Sequence, residues 1–200
     1  MAHKNLVSAV DEVKLRQAFG NATKSIDFDL VFPENIFHGE WSTFLFCESD
    51  RIFSKGFMPA MAKLLQLEQA HAACLLNLDR TKVFEFEKSA AMFFDETTTE
   101  NQYWDALKDE SSDFGWLYVM ERYVCTSDVG EWCIYCEKMS DIAVIALRDE
   151  DSLKKFGEPL MQLYAKPIEE FFESGDSSLR PFVRLSPFEN KELLKNYPKS

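Results

Sequence analysis

Two cysteines three positions apart form the motif with the clearest chemical potential in this sequence. Cys133 and Cys136 follow Trp132 in the order Trp-Cys-Ile-Tyr-Cys, and this C-x-x-C spacing is the one that a dithiol–disulfide redox centre uses. Such a centre needs its first thiolate at a helix N-terminus, where amide donors and the helix dipole lower the thiol pKa. Ile134 and Tyr135 instead favour a strand, in which residues three positions apart point to opposite faces. We therefore predict a structural strand and keep a thiol–disulfide oxidoreductase using Cys133 and Cys136 as an alternative.

Metal and hydrolase chemistry have no comparable motif. Cys125 could join Cys133 and Cys136 at a zinc ion, but the sequence nearby offers no fourth ligand, and the three histidines are distant along the chain. His38 and His71 are candidates for a general base, yet the sequence contains no nucleophile elbow and no glycine-rich phosphate loop. We therefore expect a protein that is not an enzyme and that binds neither a metal nor another cofactor.

The second feature with functional potential is an acidic stretch from Asp95 to Asp113, in which Lys108 is the single basic residue. One interpretation is a helix and loop that face water, the usual role of a charge run. The other is a docking surface, on which carboxylates pair with Lys or Arg of a partner and aromatic side chains act as anchors. The partner-binding residues predicted on this basis are Glu100, Tyr103, Trp104, Asp105, Asp109, Glu110, Asp113 and Trp116.

The overall charge restricts the class of partner. The chain has 34 acidic and 22 basic residues, a net charge of −12 and a pI near 4.7. Binding to nucleic acid draws its affinity from Lys and Arg that displace counterions from phosphate, so we expect no nucleic-acid partner, and anionic membranes are disfavoured for the same reason. An acidic surface can steer a basic protein at long range, although it can also serve solubility alone.

The length and composition indicate one domain over residues 1–200, because 46% of the residues are hydrophobic and no stretch has the composition of a linker. Residues 176–200 are polar and contain three prolines, which predicts a partly ordered tail. Five cysteines cannot all pair internally, and the start of the chain has no signal-peptide pattern, so we expect a reduced, soluble protein of the cytoplasm without a membrane span. The composition leaves the oligomeric state open.

Hydrophobic periodicity predicts a mixture of strands and helices along the chain. Strands are expected at 26–32, 43–47, 72–78, 81–88 and 114–124, and a β-hairpin at 131–147. Helices are expected at 6–19, from Pro59 to Ala70, from a Thr99/Gln102 capping box to about 110, and from 151 to 171 with breaks at Pro159 and Pro167. Because the elements lack strict βαβ alternation, the predicted fold is α+β, an antiparallel or mixed sheet with helices packed mainly on one side.

The hairpin region carries a family resemblance. The segments Arg122-Tyr123-Val124, Gly130-Glu131-Trp132-Cys133-Ile134-Tyr135 and Asp141-Ile142-Ala143-Val144-Ile145 form a Trp-led strand, a turn and an apolar strand ahead of a helix. This run, about a quarter of the chain, resembles the C-terminal part of bacterial immunity proteins from polymorphic-toxin and contact-dependent inhibition systems. The resemblance implies a cytoplasmic, non-enzymatic inhibitor of a toxin, and the acidity suits a basic toxin.

A third hypothesis, beside the inhibitor and the oxidoreductase, is a regulatory or scaffold domain with a small-molecule pocket among its aromatic side chains.

Overall fold

Seven strands form one mixed sheet in the computed structural model, which describes residues 4–7, 11–81, 84–108, 121–173 and 186–197. The strands lie in the order β1-β4-β3-β5-β6-β7-β2, with β1 parallel to β4 and the other neighbours antiparallel. Their bounds are Lys4–Asn5 (β1), Thr43–Cys47 (β2), Ala73–Asn77 (β3), Ala91–Phe94 (β4), Arg122–Ser127 (β5), Trp132–Glu137 (β6) and Ile142–Leu147 (β7). The predicted α+β class with a mixed sheet is confirmed.

Six helices are described, and they cover both faces of the sheet. Their bounds are Glu12–Lys24 (α1), Phe57–Glu68 (α2), Glu100–Lys108 (α3), Glu150–Gln162 (α4), Ile168–Glu173 (α5) and Pro187–Asn196 (α6). One core lies between the sheet and α2, α3 and α4, and a second core lies between the opposite face and α1, α5 and α6. This corrects the expectation of helices mainly on one side. The reason is that strands such as β7 are apolar at every position, so both faces must be covered.

The predicted hairpin is confirmed as β6 and β7. The pairing runs from Trp132 opposite Leu147 to Glu137 opposite Ile142. In the turn, Asp141 has a positive φ of 55°, and the Ser140 hydroxyl donates a hydrogen bond to the buried Glu137 carboxylate. β2 extends this hairpin by pairing with the other edge of β7, although β2 is far from β7 in sequence. α4 packs against this half of the sheet.

The helix starts follow capping side chains more closely than they follow apolar periodicity. α1 begins after Asp11, whose carboxylate accepts the Val13 N–H, so the predicted start at residue 6 is corrected, and the helix continues through Gly20. The capping box of α3 is confirmed: the Thr99 N–H donates to the Gln102 side chain at 2.8 Å, and the Gln102 N–H donates to the Thr99 hydroxyl. A carboxylate cap therefore overrides an apolar residue spacing that lies just before it.

Two segments that were predicted to be strands do not form strands in the structure. Residues 26–32 form turns, with one bridge between Ile26 and Phe37, and the described part of 81–88 is also irregular. The alternating phenylalanines of these two segments instead pack against each other and the sheet, and the partly buried Phe28 stacks on the partly buried Phe84 at 3.7 Å between ring centroids. The strand in this region is β4, ten residues beyond the predicted start at Thr81.

The C-terminal elements differ in part from those predicted. Pro159 lies inside α4, and the break follows at Leu163 to Pro167, ahead of α5. Residues 186–197, part of the predicted tail, contain α6 and its two capping residues, and Leu193 and Tyr197 are buried in the second core. The remaining tail residues and 109–120, which include most of the predicted 114–124 strand, lie outside the described residues. Among the helices described, none is long and apolar enough to cross a membrane.

Candidate functional site

The two cysteines of the C-x-x-C motif lie on opposite faces of β6. Cys133 belongs to the core beneath α1, and Cys136 to the core beneath α2, so their thiols cannot meet in a disulfide within this strand. Both are free and buried. Burial raises the pKa of Cys133 to about 12 and the pKa of Cys136 well above that of an ordinary thiol. The motif has the strand geometry that the sequence predicts, and this geometry offers no support for thiol–disulfide chemistry.

The described residues form no metal cluster, and the cavity beside β2, β5 and β6 is small. Within the described residues, no three His, Cys, Asp or Glu side chains are grouped so as to hold a metal ion. A cavity of about 10 Å³ lies beside β2, β5 and β6, where its lining includes Cys47, Tyr123 and Cys136. This volume holds about one water molecule. The cavity is therefore too small for the ligand of a regulatory domain.

The structure corrects the assignment of Tyr103 as an exposed anchor. Its side chain is 1% exposed and packs between Phe57 and Phe94, with ring centroids 5.4 and 6.1 Å away. Its hydroxyl donates a hydrogen bond to the Ile52 carbonyl at 3.3 Å. Burial raises the pKa of Tyr103 well above its ordinary value. Tyr103 therefore fixes α3 to the core and does not reach the surface.

The other predicted residues that are described lie on the outer side of α3. Trp104 is half-buried, Glu100 is half-buried four residues before it, and Asp105 is exposed. The ammonium group of Lys108 lies 5.5 Å from the centre of the Trp104 ring, within the range of a cation–π interaction. We call Glu96, Glu100, Trp104, Asp105 and Lys108 the α3 surface. Asp109, Glu110, Asp113 and Trp116 lie outside the described residues.

The carboxylates of the α3 surface have no cationic partner in the part of the chain that the structure describes. Among the described residues, none of Glu96, Glu100 and Asp105 forms an ion pair. One oxygen of Glu100, Oε1, is also shielded from solvent and accepts no hydrogen bond from the described part of the chain. Asp95 differs, because it is buried and accepts hydrogen bonds from Thr97 and Thr98. The α3 surface therefore presents negative charge that the rest of the described structure does not neutralise.

A second acidic and aromatic surface, which the sequence analysis missed, lies at one end of the sheet. The guanidinium group of Arg148 stacks 3.7 Å from the centre of the Trp41 ring and donates hydrogen bonds to the Gly130 and Glu40 carbonyls. We call the sheet-end surface the residues Glu40, Trp41, Glu131, Arg148, Asp149, Glu150 and Asp151. The run Arg-Asp-Glu-Asp directly after an apolar strand is the sequence signal that could have indicated it.

Most carboxylates of the sheet-end surface form bonds within the chain. Glu131 pairs with Lys155 at 2.5 Å, and Asp151 pairs with Lys154 at 2.8 Å. Asp149 is the N-cap of α4, and the hydrogen bonds from the Ser152 hydroxyl and N–H lower its pKa. These residues therefore have structural roles that account for their charge.

Two buried acids fix the turn beneath the sheet-end surface. Glu68 accepts the Glu131 N–H at 2.6 Å, while its other oxygen, Oε2, has no hydrogen-bond partner among the described residues, and burial raises its pKa. Asp128 accepts the backbone N–H groups of His71 and Ala72, and its second oxygen lies 3.4 Å from the Lys14 ammonium group. These contacts join α1, α2 and the β5–β6 turn, and they place His71 beside a structural carboxylate.

No family model matches the chain, and comparison with curated proteins and with solved structures gives no significant match. The function must therefore be inferred from the residues and their geometry.

Proposed function

We propose that this chain is a non-enzymatic binding protein of the cytoplasm, an inhibitor of the immunity type that neutralises a basic toxin or effector domain by binding it directly. The acidic composition, the buried and separated thiols, and the hairpin resemblance described above support this proposal. The single observation that carries it is the α3 surface, where the partly exposed Trp104 lies beside carboxylates that form no ion pair with the described residues.

The Trp104 ring is suited to a cationic partner side chain. Its face already accepts an ammonium group, that of Lys108, at 5.5 Å. A partner Arg could take the same place, with its guanidinium group stacked on the ring and its donors directed to the Glu100 and Asp105 carboxylates. Tryptophan and arginine are the residues most enriched where binding energy concentrates in protein interfaces.

The net charge adds a long-range contribution. A charge of −12 attracts a cationic domain before contact and accelerates association, most strongly at low ionic strength. The same charge repels nucleic acid and anionic membranes, so the partner is a protein. A toxin that binds phosphate through its own basic residues would be blocked when those residues are covered by carboxylates.

The direct test is calorimetric titration of this chain with the toxin domain encoded by a neighbouring gene. We expect one-to-one binding that weakens as NaCl rises from about 50 to 500 mM, because salt screens the charges that attract the partner. A neutral or acidic domain of similar size is the control and is expected not to bind. Absence of binding to the neighbouring basic domain at 50 mM salt would contradict the proposal.

A kinetic test separates long-range electrostatic attraction of the partner from short-range contacts in the complex. Reversal of charge at Asp109, Glu110 and Asp113, the acidic residues that follow α3, is expected to slow association more than it speeds dissociation. Stopped-flow measurement at two salt concentrations provides both rates. An unchanged association rate would remove these three residues from the proposed docking surface.

A further inference from the structure

α4 has a second apolar side that faces solvent. Leu153, Gly157 and Met161 recur at four-residue spacing along one side of the helix, and the side chains of Leu153 and Met161 are 39% and 69% exposed. Tyr164, 61% exposed, lies two residues after the end of the helix, and the Arg51 guanidinium group lies 4.3 Å from the centre of its ring. We call these four residues the α4 stripe. Because Phe156 and Leu160 already fill the core side of α4, the stripe is apolar surface beyond what the fold requires.

Gly157 has no evident role inside the chain. A Cβ atom at this position would meet no other atom of the described residues within 4 Å, so no close contact among them explains the glycine. Glycine in a helix interior costs about 1 kcal/mol relative to alanine. What glycine permits at a partly exposed position is the close approach of another backbone, and Gly157 lies midway between Leu153 and Met161.

We infer that the α4 stripe is the contact surface of a homodimer, in which α4 packs antiparallel against α4 of a second copy about a twofold axis at Gly157. This symmetry places Leu153 of each copy against Met161 of the other. Lys154 and Glu158 border the stripe on one side, and in an antiparallel pair the same sides of the two helices face each other. Lys154 of each copy then lies near Glu158 of the other, so the surface is complementary in charge to itself.

The dimer requires little rearrangement of the chain. Lys154 now pairs with Asp151, but both side chains are more than 80% exposed, and such a pair contributes little stability.

The interface is small: from Leu153 to Met161 the stripe extends over roughly 12 Å of helix. We therefore expect a weak dimer, with a dissociation constant on the order of 100 µM. The stripe shares no residue with the α3 surface, so this inference is independent of the proposed partner.

Charge exchange provides the decisive experiment, with sedimentation velocity of the full chain from about 10 µM to 1 mM as the readout. We expect Lys154→Glu alone and Glu158→Lys alone each to weaken self-association about tenfold, because each replaces two attractive contacts by two repulsive ones. The double variant, Lys154→Glu with Glu158→Lys, is expected to restore the dimer to within about twofold. An equimolar mixture of the two single variants is expected to form a heterodimer.

An apolar variant and its matched control complete the test. Met161→Glu is expected to abolish the dimer, whereas Met139→Glu, at a methionine 63% exposed in the β6–β7 turn, is expected to leave it unchanged. Unchanged thermal unfolding of each variant verifies that α4 remains folded. A wild-type chain that stays monomeric at 1 mM, or a double variant no more associated than the single ones, would overturn the inference and leave the proposed partner binding untouched.

Discussion

The α3 surface and the sheet-end surface contain the same kinds of residues but differ in how many of these residues already form contacts within the chain. Each places a cation over a tryptophan ring with carboxylates nearby. At the sheet end, the Arg148 guanidinium group lies 3.7 Å from the Trp41 ring centre and is held by two backbone carbonyls. On α3, the Lys108 ammonium group lies 5.5 Å from the Trp104 ring centre. The first ring is therefore already occupied, while the second can exchange its cation for that of a partner.

The comparison shows that a count of acidic residues does not identify a docking surface. The sheet-end surface is also acidic, but Asp149 caps α4, and Glu131 and Asp151 pair with lysines of that helix. The carboxylates on α3 have no such partner among the described residues. A carboxylate that is already bonded must give up that bond before it can bind a partner, so availability matters more than number.

The largest expected effect concerns stability and separates Tyr103 from its neighbour Trp104. Tyr103→Ala should lower the free energy of unfolding by about 3–5 kcal/mol, because it leaves a cavity between Phe57 and Phe94. Tyr103→Phe, which loses only the hydrogen bond to Ile52, should cost about 1 kcal/mol. Urea unfolding measures both. A loss below about 1 kcal/mol for Tyr103→Ala would return Tyr103 to the list of surface anchors.

The next effect concerns binding and tests the contrast between the two tryptophans. Trp104→Ala should weaken partner binding by about 2 kcal/mol, or roughly thirtyfold, as expected for an aromatic anchor. Trp41→Ala should change affinity by less than about 0.5 kcal/mol, because its ring is covered by Arg148. Calorimetry with the same toxin domain compares the two variants. Equal losses would mean that both surfaces contact the partner.

A smaller effect is expected from charge. Replacing Glu100 and Asp105 by lysine should slow association about tenfold at low salt, and the difference should shrink at 0.5 M salt. The matched control replaces Glu150 and Asp151 by lysine at the sheet end and should slow association about threefold at most, since it alters only the overall charge. If stopped-flow rates fall equally for both pairs, net charge alone steers the partner.

The smallest effect is a pH dependence of stability at the sheet end. Burial raises the pKa of Glu68 above its usual 4.5, so the folded state holds this proton more tightly than the unfolded state. The associated stability is complete below about pH 4.5 and is lost as the pH rises through the raised pKa. Glu68→Gln should therefore reduce the loss of stability on going from pH 4.5 to 7.5 in urea unfolding. Exposed Glu158→Gln is the control, and identical pH profiles would exclude a contribution from Glu68.

The sequence was informative where local signals and tertiary packing agree. The hairpin, β2, β3 and α2 follow from apolar runs with turn or glycine boundaries, and the Thr99/Gln102 pair marks the start of α3. The opposite orientation of Cys133 and Cys136 also follows from strand periodicity alone. α6 could have been predicted by the same reasoning, because Ser186 and Glu189 form a capping box with Pro187 at the first helical position.

The errors arose where burial is achieved without regular structure. The alternation of Ile26, Phe28, Leu30 and Phe32 resembles a strand, yet Asp27 accepts the Asp29 N–H in a local turn and Phe28 is partly buried by stacking on Phe84. Residue spacing also cannot show which carboxylates will meet a lysine from a distant element, as Glu131 meets Lys155. Consequently, the sequence located the acidic segment on α3 but missed the sheet-end surface, and it could not show which carboxylates bond within the chain.

The five buried cysteines provide a means of monitoring the folding of each part of the sheet. They lie on β2, β3, β5 and β6, and both cores contain at least one of them. A thiol reagent in solution can modify such a residue only after the surrounding structure opens, so the labelling rate of each cysteine reports the free energy of a local opening. Variants that each retain one of the five native cysteines would therefore show which strands separate first, and no cysteine would have to be introduced.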